Sequence, residues 1–159
     1  MEQSPHFDAL AERDLINKAI LAQLAAIGVF LGSQLIGEAL GASFKHSPEK
    51  EIGKFPIHLT SEGLGNPKFS HFGETSEVGN WHNDMPGLPR DATIIAASDG
   101  CPRQIVEYSR LAYGFQCHME LTRDVVELLI QASEAELITL TDRRFVQQPP
   151  ALRANDTMR

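Results

Sequence analysis

The stretch IGVFLGSQLIGEALGA, residues Ile27–Ala42, decides how the rest of the chain is read. Its first part is short, apolar and unbroken by charge, as a buried strand would be. Ser33 to Leu40 then returns to helical spacing, and Gly41 stands where a helix terminator belongs. Between them lies Gly28-Val29-Phe30-Leu31-Gly32, a glycine-bounded strand-to-helix turn of the kind that presents its central residue for attack on a substrate. The central residue is Phe30, whose benzyl side chain has no attacking atom.

Outward from this turn, the pattern is that of one α/β domain. Residues 8–23 place Leu10, Leu15, Ile16, Ala19 and Ile20 near helical spacing. The run AAIGVF lacks alternation and is expected to be a strand of a parallel sheet, covered on both sides. From His46 to Pro89 the chain is rich in Gly, Pro, Asn and Ser, and reads as long functional loops with one strand, FPIHL (55–59). Three strand-like runs follow at 92–97, 103–108 and 111–117. DVVELLIQA (124–132) predicts a helix, which SEAELITL continues or follows. A domain over 1–146 is expected, with a loose tail over 147–159.

The totals narrow the function. The 159 residues suffice for one core, and 42% hydrophobic with 22% charged residues is ordinary for a globular protein. A net charge of −7 gives no basic footprint, so a nucleic-acid partner is not expected. The longest apolar stretch is interrupted by Gln23 and Gly28, which argues against a membrane span. Cys101 and Cys117 have no CxxC spacing and no signal sequence precedes them, so a cytoplasmic location is expected. His46, His58, His71, His82 and His118, with Asp84 and Glu120, show no paired zinc spacing. No metal and no cofactor are expected. Trp81 reads either as part of a site-bordering loop or as the anchor that holds this loop to the core.

Three segments together carry a resemblance to the class I glutamine amidotransferases. GVFLGSQLIGEALGA resembles the family's G-[IV]-C-L-G-x-Q turn and helix. NWHNDMPGLP (80–89) is similar to its W-H-x-D-x-x-x-L-P segment, and YGFQCHMELT (113–122) to its G-x-Q-F-H-P-E-x-[ST] segment. Lys50-Glu51-Ile52-Gly53 matches its E-x-G step. The resemblance runs from about Phe7 past Glu120 and implies a flavodoxin-like fold, a parallel sheet with flanking helices.

The resemblance also implies roles. In that family the turn cysteine attacks the side-chain amide of glutamine, a histidine serves as its base and a glutamate orients the histidine. By position these are His118 and Glu120, with Gln34 on the substrate's amino-acid end and Gly32 and Leu31 framing the oxyanion hole. The nucleophile position is Phe30, which implies a remnant glutamine pocket without glutaminase activity. Met119 replaces the family's proline and Cys117 its phenylalanine. The alternative is an amide or ester hydrolase that uses Ser33 or Cys117 with His118. The family's first strands, ending in a glycine-rich turn, and its closing amphipathic helix have no counterpart in the sequence. Strand AAIGVF is therefore expected to leave an apolar edge open for a protein partner or a second copy.

Overall fold

The computed structural model describes residues 7–155. Helix α1 (Ala9–Leu21) starts at Asp8, whose carboxylate accepts from the Leu10 and Ala11 amides. It leads to strand β1 (Ala26–Val29) and helix α2 (Leu31–Ala39). Two long strands follow, β2 (Lys45–Leu59) and β3 (Thr75–Met85), separated by the short helix α3 (Ser61–Gly65) and a 3₁₀ turn. Strands β4 (Thr93–Ala97), β5 (Ile105–Ser109) and β6 (Ala112–Phe115) precede helices α4 (Arg123–Ala132), α5 (Glu134–Thr139) and α6 (Pro149–Ala154). No helix among the described residues is long and apolar enough to cross a membrane.

The six strands form one sheet in the order β1-β6-β5-β4-β2-β3. The α/β class stands, but the expected parallel pairing holds only for β1 with β6. All other neighbours run antiparallel. The reason is connection length. A parallel return needs a crossover of about a dozen residues, and the links between β4, β5 and β6 are far too short for one.

The loop reading of residues 46–89 is corrected most. FPIHL is only the end of β2, and β2 and β3 form a long antiparallel ladder from His58↔Thr75 to Lys45↔Met85, irregular between His46 and Glu51. Trp81 lies within β3 and packs against the cluster of Ile52, Ile130, Leu137, Val146 and Leu152. The alternation was hidden because several inward positions are polar: Glu51, Asn80 and His82 are buried.

Two further expectations change. Strand β1 is not covered on both sides, since Ile27 is 73% and Val29 39% exposed at the end of the sheet. The tail is ordered through Asn155: Gln147 donates its amide to Ile52 O at 2.8 Å, and α6 buries Leu152. Pro149 and Pro150 open that helix, where a missing N–H costs nothing and φ is already preset. Residues 156–159 of the expected tail lie outside the described residues. SEAELITL forms a separate helix, because the chain breaks at Ser133.

Leu152 is buried in this last packing layer, with Ile52, Ile130, Leu137 and Val146. Leu152→Ala should cost about 2 kcal/mol, read from the midpoint of urea unfolding at unchanged slope.

Candidate functional site

The turn between β1 and α2 is built by backbone contact. A Cβ added to Gly28 would lie 2.4 Å from the carbonyl carbon and oxygen of Gly32. Gly28 is therefore required. Gly32 is not, because a Cβ there meets nothing within 4 Å. Phe30 takes φ 51° and ψ −109°, an uncommon conformation for a residue with a side chain. Its N–H donates to Phe115 O at 2.7 Å and its carbonyl accepts from Ser33 N at 3.0 Å. The first turn of α2 leaves the N–H groups of Leu31 and Gly32 without intrahelical acceptors.

Phe30 does not fill a closed pocket. It is 37% exposed, and its ring rests on the imidazole of His118 with centroids 5.4 Å apart, tilted by 33°. His118 Nδ1 meets Glu120 Oε1 at 2.6 Å, and Glu120 Oε2 accepts from Met119 N at 2.9 Å. Partial burial pushes the Glu120 carboxyl up, but the His118 hydrogen bond and its own backbone bonds leave it below the usual range. Thus Phe30, His118 and Glu120 come together.

The other expected residues face elsewhere. Gln34 is buried and donates from Nε2 to Gln116 Oε1 at 3.2 Å. Ser33 is fully buried against Gly114, and its Oγ has no partner among the described residues. Cys117 is fully buried in the cluster of Ile57, Phe69 and Ile95, and burial pushes its thiol up to about 12. Neither replacement nucleophile is presented to solvent.

His118 is held by the main chain. It exchanges two backbone hydrogen bonds with Gly79, at 2.8 and 2.9 Å. The next residue, Asn80, belongs to a polar cluster that sequence reading missed. Gln104 Nε2 lies 2.6 Å from Glu51 Oε2, 3.0 Å from Asn80 Oδ1, 3.0 Å from Ser98 Oγ and 3.3 Å from His82 Nε2. Ser98 Oγ also donates to Glu51 Oε1 at 2.8 Å. Only the matches at Glu51 and His82 hinted at it; Gln104 sits in an ordinary-looking strand run.

Glu51, His82 and Cys101 bring ligand-type atoms within 4.8 Å of one another. The Gln104 amide already contacts Glu51 and His82 there, and burial pushes the Cys101 thiol up to about 11, away from the thiolate a metal needs. Of the other histidines, His46 pairs with Asp84 at 2.6 Å and His58 with Thr75 at 3.0 Å, both exposed.

A family model for glutamine amidotransferase class-I matches residues 5–128. The chain belongs to the class I glutamine amidotransferase family. It is 56% identical over 153 residues to the glutamine amidotransferase-like protein YfeJ of Salmonella typhimurium, covering 96% of this chain and 64% of that protein. The solved structure of SMU.1228c is similar at 44% identity and TM-score 0.92, covering 96% of this chain and 65% of that one. A glutamine amido transferase from Methylobacillus flagellatus is similar at 25% identity and TM-score 0.81, covering 96% and 64%. The chain thus spans about 64% of the length of YfeJ.

The two turn glycines should separate in their tolerance. Gly28→Ala must push Cβ into the α2 backbone and should destabilise by about 2 kcal/mol. Gly32→Ala should be neutral or stabilising by up to about 1 kcal/mol, both measured by urea unfolding.

Proposed function

We propose that this chain is a glutamine amidotransferase-like module that lacks glutaminase activity. The observation that carries the reading is Phe30 at the tip of a strained strand-to-helix turn, its ring lying on the His118 imidazole. In this reading the turn is a nucleophile elbow, and His118 with Glu120 is its remaining base and orienter. Gly32 and Gln34 are remnants of the substrate side. A base needs a nucleophile within hydrogen-bond reach; here it faces an aromatic ring.

The hydrolase alternative gains no support from the geometry. Ser33 and Cys117 are both fully buried, and Cys117 is set among apolar side chains. A high thiol pKa further removes the reactive thiolate. No cofactor enters this reading, and the acidic net charge of −7 fits a protein without a nucleic-acid partner. The free, buried Cys101 and Cys117 fit a reducing cytoplasm.

The reading includes an association surface. Strand β1 ends the sheet with only β6 as neighbour, and exposed Leu21, Leu24 and Ile27 lie along and just before it. Such an edge takes another strand by backbone hydrogen bonds, from a protein partner or a second copy.

Ammonia release from glutamine tests the chemistry. The wild type should release none above a buffer blank. Phe30→Cys should gain release that is lost again when His118→Ala is added. Wild-type release abolished by His118→Ala would overturn the reading. For the edge, light scattering should show concentration-dependent association of the wild type that Ile27→Lys weakens by about tenfold. A wild type that stays monomeric at all concentrations and binds no other polypeptide removes the edge proposal.

A further inference from the structure

One cavity among the described residues holds neither Phe30 nor His118. It lies between β2, β3, α4 and α6, has a volume of about 320 Å³, and is open on one side. Apolar side chains of Trp81, Leu121, Val126 and Leu152 line it, and the backbones of Gly53 and Gly79 contribute to its wall. That volume is at the lower end for small-molecule sites, which are mostly apolar with a few placed polar groups.

The polar lining is selective in its pairing. Arg153 is spent on Glu127, in a bidentate contact at 2.8 and 2.9 Å. Lys54 faces Glu77 at 3.5 Å. Arg123 and Asp124, adjacent at the start of α4, have no ion-pair partner among the described residues. One free guanidinium and one free carboxylate therefore stand beside an apolar hollow with an indole in its lining.

We propose that this cavity binds a free α-amino acid with a large apolar side chain. The ligand carboxylate pairs with Arg123, its ammonium with Asp124, and its side chain lies against Trp81 and Leu152. A ligand with one charge would engage only one of the two rim groups. A polar side chain would lose its hydration against the apolar lining, which costs free energy without a partner.

The cavity adjoins the segment that carries His118. Gly79, part of the cavity wall, is the residue whose backbone holds His118, and Leu121 follows Glu120. The proposal does not depend on whether glutamine is hydrolysed, so it can fail without the functional reading and survive its failure.

Trp81 is the only tryptophan of the chain, so its fluorescence reports on the cavity. Titration of the full chain with L-leucine and L-phenylalanine should give a saturable change in Trp81 emission, with half-saturation at or below about 1 mM. 4-Methylpentanoate, which lacks the ammonium, and 3-methylbutylamine, which lacks the carboxylate, should each bind at least about tenfold more weakly. Arg123→Gln should remove the advantage of L-leucine over the amine, and Asp124→Asn its advantage over the acid. Both residues are exposed, so these variants keep the fold. Calorimetry run in parallel decides any titration in which emission is silent. No heat and no emission change up to about 10 mM, or binding that ignores both substitutions, would overturn the proposal.

Discussion

The carboxylate of Glu51 has no solvent exposure, and the centre of the molecule is arranged around keeping it there. A buried carboxylate costs several kcal/mol unless hydrogen bonds and charge answer it. Gln104 and Ser98 supply donors, and His82 Nε2 stands 3.3 Å away. These partners come from β3, from the residue after β4 and from the residue just before β5. The network therefore fixes how the long β2–β3 ladder sits against the rest of the sheet. It also fixes Gly79, one residue from Asn80, and through Gly79 the main chain of His118.

The turn at Phe30 is held by different means. A non-glycine residue at φ 51° costs of the order of 1–3 kcal/mol. Nothing in the Phe30 side chain calls for that conformation. The close approach of Gly28 to Gly32 does, together with the 2.7 Å hydrogen bond from Phe30 N–H to Phe115 O. The bend is thus a property of the backbone, independent of which side chain stands at its tip. On the reading proposed above, that independence is what lets the turn persist without a nucleophile: the side chain at its tip can change while every main-chain contact stays in place.

The same distinction sets what could be read from the sequence. The Ile27–Ala42 stretch was legible because a backbone contact as close as that at Gly28 admits only glycine and leaves a local mark. His118 and Glu120 were legible as neighbours two residues apart, and they do touch. The β2–β3 ladder was not legible, since Glu51, Asn80 and His82 point inward where alternation would demand apolar residues. Gln104 was invisible for a further reason: its partners Asn80 and Glu51 lie 24 and 53 positions away, and no local pattern encodes such a meeting. Helix α6 is too short, at six residues, to show a period. The antiparallel order of β4, β5 and β6 could have been taken from their short links, which exclude crossovers.

The open face beside β1 follows from the sheet's own register. Ile27 lies opposite Tyr113 and Val29 opposite Phe115, so these pairs share one side of the sheet. Tyr113 belongs to the cluster with Ile57, Phe69 and Ile95, and Phe115 packs against it. The apolar layer therefore continues from a closed core outward to β1 and stops in solvent. On the other side Gly28 meets α2, and α1 beyond it leaves Leu10, Leu15 and Leu21 exposed. An ordinary surface strand alternates apolar and polar residues, one face for the core and one for water. β1 has no polar residue at all, so neither of its faces is suited to water. On the association proposed above, a strand paired with this edge would extend the apolar layer that Tyr113 and Phe115 carry outward from the core.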